Sequence, residues 1–266
     1  MLQHRKVIVV VPAYCEESHV AKVVRSMPAF VDRIIVVDDG SPDATSARAR
    51  DVGDPRLEVI RHEVRSGVGA AITTGYRAAL GHTRTDEDAI AVMAGDGQMD
   101  PDDLATVVGP IVRGEAEYVK GDRFGEPGIR GTMGFSRWLG GQVFSTLTGL
   151  AIGKPIRDSQ CGYTAIARRG LRALDLDAFW PSFGYPNDLL GQLAACGARI
   201  TEVPVRAIYG DETSKLRLRH VPPIFFLVGR AAARRVFWPR PMPEREVSRF
   251  QESRRGELRN DSAVSS

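Results

Sequence analysis

The chain has 266 residues, 43% hydrophobic and 26% charged, which suits one globular α/β domain with a sizeable core. A formal charge of +3 gives no whole-protein field of the kind that draws nucleic acid, so no nucleic-acid partner is expected, although arginine crowds into the last quarter. Three cysteines, Cys15, Cys161 and Cys196, lack metal-ligand spacing, and their odd number argues against a disulfide framework. The expected location is a reducing cytoplasm: residues 1–6 run into a strand without a signal-peptide core, and the longest apolar stretch near the end is too short to span a bilayer.

Residues 6–11 form a β-branched run expected as a buried parallel strand. It stops at Pro12-Ala13-Tyr14-Cys15-Glu16-Glu17-Ser18, and helical spacing resumes over 20–27. A dinucleotide-binding unit would carry its glycine fingerprint at this turn; its absence argues against a dehydrogenase. An aromatic ring and acids stand there instead, able to face a base edge and ribose, or, in the plainer alternative, to favour the helix N-terminus. A second strand, 33–37, delivers Asp38 and Asp39 to the same sheet edge, with Ser41 or Asp43 placed to cap a helix starting near Ala44. A third strand, 57–60, leads to Arg65-Ser66-Gly67-Val68-Gly69-Ala70-Ala71. Those glycines allow close approach of backbone to a ligand or to a neighbouring element.

A fourth strand, 89–93, ends in Ala94-Gly95-Asp96-Gly97-Gln98-Met99-Asp100, and Pro101 opens a helix with Asp102 and Asp103 in its first turn. Ligands of open α/β sheets bind at the carboxyl ends of strands, and Asp96 with Gln98 offers hard oxygens suited to Mg²⁺ or Mn²⁺ shared with a diphosphate. An ordinary Asp-Gly turn is the alternative.

Taken together and in this order, Pro12-Ala13-Tyr14-Cys15-Glu16-Glu17, Val37-Asp38-Asp39-Gly40-Ser41-x-Asp43-x-Thr45, Gly67-x-Gly69-Ala70-Ala71 and Asp96-Gly97-Gln98-x-x-Pro101 resemble family 2 glycosyltransferases. The resemblance is to the branch of dolichyl- and polyprenyl-phosphate sugar synthases and covers residues 5–220. It implies the glycosyltransferase A-type (GT-A) fold, an α/β fold with a Rossmann-like, mostly parallel sheet and helices on both faces. It also implies a UDP- or GDP-sugar donor and a divalent cation, Mg²⁺ or Mn²⁺. By position, Pro12, Tyr14 and Glu16 would line the nucleoside, Asp39 would contact base or ribose, and Asp96 with Gln98 would hold the metal on the diphosphate. The family's Asp-x-Asp carries an acid where this chain has Ala94, so the site leans on Asp96, Gln98 and the donor's own oxygens.

A further strand is expected at 117–121, followed by Asp122-Arg123-Phe124. The resemblance gives Arg123 and Arg137 the grip on a lipid acceptor's phosphate, a task guanidinium forks suit; for Arg130 and Arg137 the alternative is a solvated helix face. The glycine-rich stretch 125–141 is expected as a mobile loop and helix start. Asp158-Ser159-Gln160-Cys161-Gly162-Tyr163 resembles the family's turn before a strand, with Asp158 on the site floor and Cys161 as buried packing. Tyr185-Pro186-Asn187-Asp188-Leu189-Leu190 is expected to open a helix, and by the resemblance Asp188 stands where inverting relatives carry a general base; alternatively Asn187 or Asp188 caps a helix over 189–196. An edge strand is expected over 200–208. In the loop that follows, Lys215 resembles a diphosphate contact, with Arg206 or Arg217 in place of an arginine the relatives carry near Tyr209.

Residues 1–220 read as the catalytic domain, 221–243 as an amphipathic basic segment and 244–266 as a disordered tail. Pro222 to Val228 followed by Arg230, Arg234, Arg235 and Trp238 could lie on an anionic membrane surface, making the chain peripheral; the alternative is a helix packed on the domain or on a second subunit of a homo-oligomer. The expected reaction is inverting transfer of a hexose to a polyprenyl phosphate. A hydroxyl of a soluble or glycan acceptor, with Asp188 as base, is the alternative acceptor. A non-catalytic nucleotide-sugar binder and a nucleotidyltransferase are the competing classes, and the latter's usual glycine-rich first loop is absent.

Overall fold

The computed structural model describes residues 1–125, 135–206, 208, 221–237 and 241–244, and the side chains at all of these except 135–137 and 221. Seven strands, β1 (Val7–Ala13), β2 (Arg33–Asp38), β3 (Leu57–Arg61), β4 (Ala89–Val92), β5 (Tyr118–Asp122), β6 (Thr164–Ala167) and β7 (Ile200–Pro204), form one sheet in the order β3-β2-β1-β4-β6-β5-β7. β6 runs antiparallel between β4 and β5, and the other pairings are parallel. The carboxyl ends of β1, β2, β4 and β5 and the amino end of β6 therefore share one edge. The turns that carry Tyr14, Asp39, Asp96, Arg123 and Asp158 lie there.

β1 is buried at all seven positions because both faces of its Val-Ile run are covered. Val7, Val9 and Val11 face a core shared with helices α1 (Val20–Arg25), α2 (Thr45–Arg50) and α4 (Leu104–Val112). Ile8 and Val10 face a second core, built with α3 (Val68–His82), α5 (Phe135–Ile152), α6 (Arg168–Arg172), α7 (Tyr185–Ala195) and α8 (Val221–Phe237). Helices on both faces of a mostly parallel sheet are the expected architecture. Pro101 opens a 3₁₀ turn into α4, capped by Asp100, whose carboxylate accepts the Asp102 N–H at 2.9 Å.

Several expected boundaries shift. The edge strand stops at Pro204 instead of running to 208, since proline cannot donate to a ladder. The helix opened by 185–190 does start at Tyr185, after Gly184 at φ +96°, so Asn187 and Asp188 lie inside its first turn and the alternative, that one of them caps a helix over 189–196, is not met. A Cβ on Gly184 would also come within 2.8 Å of Leu227 on α8. Asp43 accepts the Thr45 N–H at the start of α2, whereas the Ser41 hydroxyl accepts the Cys15 N–H and holds the first motif turn. α8 buries Ile224, Leu227 and Ala231 against the domain. Among the described residues no helix is long and apolar enough to cross a membrane.

Candidate active site

Three adjacent strand ends bring the first motifs together. The Asp39 N–H donates to the Ala13 carbonyl at 2.9 Å and the Gly95 N–H to the Pro12 carbonyl at 3.1 Å, so the turns after β1, β2 and β4 lie side by side. Pro12 is buried, Tyr14 is half-buried, and Arg65 stands over the Tyr14 ring at 4.0 Å from its centroid. Glu16 is buried, its carboxylate 3.2 Å from His19 Nδ1 and its N–H bonded to the Thr45 hydroxyl. Cys15, between them, is exposed and has φ +57°.

The two acids after β2 divide their work. Asp38 is fully buried and accepts the Ser41 N–H and the Ser46 hydroxyl, which makes it the staple of its own turn. Asp39 accepts the N–H groups of Ser66 and Gly67 at 2.8 and 2.7 Å and lies 2.8 Å from His62 Nδ1, whose other nitrogen meets the Thr74 hydroxyl. Asp39 thus ties the glycine loop to the sheet edge in this structure. That loop's glycines meet protein backbone. A Cβ on Gly67 would lie 2.5 Å from the Pro181 carbonyl oxygen, and one on Gly69 would collide with that of Trp180.

Asp96 sits half-buried in a tight turn, its Oδ1 accepting the Gln98 N–H at 3.2 Å, with Gly97 at φ +75°. At the position of the missing acid, the Ala94 N–H meets the Met99 sulfur at 3.2 Å. Among the described residues no group of three or more His, Cys, Asp or Glu could enclose a metal. One carboxylate and one carboxamide do suit a hard cation that draws its remaining ligands from a diphosphate and water, the mode Mg²⁺ prefers. Gln98 shares a cleft with Arg123, Gly162, Tyr163 and Arg206.

Arg123 follows β5 directly and forms a fork with Asp158, Nε to Oδ2 at 2.7 Å and Nη2 to Oδ1 at 2.9 Å. Burial pushes the Asp158 carboxyl up, but the charge and hydrogen bonds of Arg123, with Lys120 behind it, outweigh that and hold it below its ordinary value. Lys120 is fully buried in β5 and donates to the Cys161 carbonyl at 2.6 Å; burial lowers its pKa. Cys161 is buried and its thiol is pushed up by burial, which fits packing and not nucleophilic chemistry. Arg206, on the rim of the same cleft, is paired with Asp103 and Asp100. Lys215, Arg217 and Arg130 lie outside the described residues, as does the side chain of Arg137.

Asp188 stands apart from the cleft. It is 1% exposed, accepts the Trp180 N–H at 2.9 Å, and is bracketed by Arg230 and Arg234 of α8. Sequence reading missed this pairing, and also Lys120 and His62. A lysine inside the apolar strand 117–121 was a signal in plain view; the two arginines gave none, because nothing local says which way a helix 40 residues away will face.

A mostly parallel sheet of this order, with helices on both faces and a carboxylate in the turn beyond β4, is the GT-A architecture. Over 89% of this chain and 80% of the other, the structure matches glucosyl-3-phosphoglycerate synthase from Mycobacterium tuberculosis, solved with Mn²⁺, UDP and phosphoglyceric acid, at TM-score 0.61 and 23% identity. Mannosyl-3-phosphoglycerate synthase from Rubrobacter xylanophilus matches at TM-score 0.62 and 20% identity, over 87% of this chain and 74% of that one. These likenesses concern the fold. Residues 8–174 match the model described as Glycosyl transferase family 2, and the chain belongs to that family and is a glycosyltransferase. It is 29% identical to the UDP-N-acetylglucosamine–dolichyl-phosphate N-acetylglucosaminyltransferase of Methanococcus voltae, over 77% of this chain and 86% of that protein. It is also 29% identical to the undecaprenyl-phosphate mannosyltransferase of Micrococcus luteus, over 75% and 82%. The polyprenol monophosphomannose synthase of Mycolicibacterium smegmatis is 30% identical, over 76% and 77%.

Proposed function

We propose that the chain transfers a hexose, with inversion, from a UDP- or GDP-sugar to the phosphate of a polyprenyl carrier. An acceptor phosphate oxygen attacks the anomeric carbon, the new C–O bond forms as the bond to the donor diphosphate breaks, and the nucleoside diphosphate leaves. Tyr14, Glu16 and Asp39 hold the nucleoside, with Pro12 as the wall between β1 and the Asp96 turn. Asp96 and Gln98 hold a divalent ion, which supplies charge neutralisation for the leaving diphosphate. Arg123, fixed by Asp158, aligns the acceptor oxygen together with Arg137, and Lys215 assists the diphosphate.

The observation that carries the choice of acceptor is the state of Asp188. A hydroxyl acceptor needs a base, and the carboxylate at that position is taken up by two guanidinium groups and a backbone N–H. A phosphate monoester, with a second pKa of about 6, is already a nucleophile at neutral pH. Asp188 then anchors α8 and abstracts no proton. Asp188→Asn should therefore lower turnover with polyprenyl phosphate by less than about tenfold, against the 10²–10⁴ that loss of a general base costs. Arg234→Gln should give a similar modest loss. If freeing Asp188 from Arg234 instead creates transfer to sugar hydroxyls, or Asp188→Asn abolishes phosphate glycosylation while melting is unchanged, the acceptor assignment fails.

Cys15 offers an independent check on the donor side. It is the exposed thiol of the three, and it stands between Tyr14 and Glu16, whereas Cys161 and Cys196 are buried. N-ethylmaleimide should label Cys15 first and abolish donor binding, and nucleotide diphosphate with Mn²⁺ should slow the labelling at least about tenfold. Equal labelling rates with and without nucleotide, read by mass spectrometry, would move the nucleoside elsewhere.

A further inference from the structure

We infer that Trp180, Pro181 and Asp188 are positioning residues for the donor, a strap through which α8 sets the glycine loop 65–69; the inference rests on the reading of Tyr14 and Asp39 as nucleoside contacts. Residues 173–184 join α6 to α7 without helix or strand and run along α3. Asp177 pairs with Arg77, and the Pro181 carbonyl, about two turns nearer the helix N-terminus, accepts the Ala70 N–H at 3.0 Å. α3 has no side-chain cap, so this carbonyl satisfies one of the opening N–H groups that a capping side chain serves elsewhere. Gly67 and Gly69 lay the loop directly on the Trp180–Pro181 backbone, with no side chain between to absorb a shift. The loop is thus held from two sides, by Asp39 through the Ser66 and Gly67 N–H groups and by the strap. Arg65, next to those residues, is the group that stands over the Tyr14 ring.

The strap takes its own position from α8. Asp188 divides its carboxylate: Oδ2 accepts the Trp180 N–H at 2.9 Å, and Oδ1 pairs with Arg230 and Arg234. The Trp180 side chain is held as well. Its Nε1 donates to the Phe183 carbonyl at 2.9 Å, and the Arg230 guanidinium and the Phe226 ring lie 5.9 and 6.4 Å from its centroid. A carboxylate this deeply buried needs compensating cations, and both come from α8. Shape adds to charge: a Cβ on Gly191 would lie 2.6 Å from that of Ala231, so α8 packs on α7 at near backbone distance. Loosening α8 therefore leaves a bare charge under Trp180, displaces the strap and withdraws one of the two holds on the glycine loop. Coupling of this kind is reciprocal, so nucleotide binding should in turn steady α8.

The test reads amide exchange by mass spectrometry in the full chain, and nucleotide affinity by titration calorimetry of UDP and GDP with Mn²⁺. Arg230→Gln leaves Arg234 on Asp188, so folding should survive; Asp188→Asn is the stronger perturbation, and melting checks both. In Arg230→Gln the amides of 66–71 should exchange at least about tenfold faster, while those of α4, on the other face of the sheet, keep the wild-type rate. Nucleotide should bind about fivefold more weakly, with the KM for a short-chain polyprenyl phosphate unmoved, and Asp188→Asn should exceed both effects. Arg230→Lys keeps a cation beside Asp188 and should restore most of the loss. Nucleotide with Mn²⁺ should slow exchange in wild-type α8. Exchange over 66–71 at the wild-type rate in both variants overturns the strap. So does acceleration that α4 shares in Arg230→Gln, which is general destabilisation, or acceleration that leaves nucleotide affinity unchanged. A wild type that binds neither nucleotide, while exchange over 66–71 still follows Arg230 and Asp188, keeps the strap and removes the donor reading.

Discussion

Asp158→Asn should destabilise the chain by about 3–5 kcal/mol and weaken acceptor use, because it leaves Arg123 and the buried Lys120 without the carboxylate that compensates them. Asn keeps the volume and part of the hydrogen bonding, so the loss reports charge. Asp158 is fully buried, and its folded pKa lies below the unfolded value of about 3.9. For a depressed carboxylate the sign is fixed: the stabilisation is complete above the unfolded value and disappears as pH falls through the folded one. The wild type should therefore lose stability on acidification below about pH 4, and Asp158→Asn should lose less over the same window. Urea unfolding at neutral pH and at about pH 3 reads both numbers. Arg123→Gln alone should also be costly, and the double variant should recover part of the sum, because two residues in one ion pair do not add. A neutral-pH change below about 1 kcal/mol would mean that solvent already screens the pair. In kinetics, Arg123→Gln should raise the acceptor KM with the donor KM unmoved.

How much of this was legible beforehand depends on the range of the contacts involved. Six strands lie close to the β-branched or apolar runs that announce them, and the motif turns converge on one edge because parallel strands must deliver their carboxyl ends together. The seventh, β6, was expected as a strand, but not its direction: Thr-Ala-Ile-Ala has the same pattern whichever way it runs. Local chemistry gave candidate residues without their partners. Gly67 and Gly69 read equally well as a ligand cradle or as packing, and only the Trp180–Pro181 backbone, more than a hundred residues on, decides for packing in this structure. Asp39 carries the same lesson, since its engagement with Ser66, Gly67 and His62 spans a crossover that sequence spacing does not encode. Asp188 was legible as a polar group at a helix start. Its arginines come from a helix whose inward face is set by Ile224, Leu227 and Ala231, and the charge pattern alone suggested that those arginines faced a membrane.

Asp96→Ala should abolish the metal dependence of nucleotide binding and lower turnover about 10³-fold, the equivalent of some ~4 kcal/mol of lost charge stabilisation on the leaving diphosphate. The size follows from how little the protein contributes. With Ala94 in place of the family's first acid, Asp96 is the sole carboxylate of the pair, and Gln98 brings a neutral oxygen. Gln98→Ala should accordingly cost much less, about tenfold, a loss of orientation more than of charge. Titration calorimetry of UDP and GDP, with Mn²⁺ and then with chelator, separates binding from chemistry: wild-type affinity should fall on chelation, and that of Asp96→Ala should start low and stay there. Unchanged affinity in the presence of Mn²⁺ would refute the metal role, and the turn would revert to a strand–helix connection. Ala94→Asp supplies the converse. Restoring an acid two residues upstream should tighten Mn²⁺-dependent nucleotide binding if its side chain shares the ion with Asp96, at the cost of a second carboxylate that must be neutralised whenever the donor is absent.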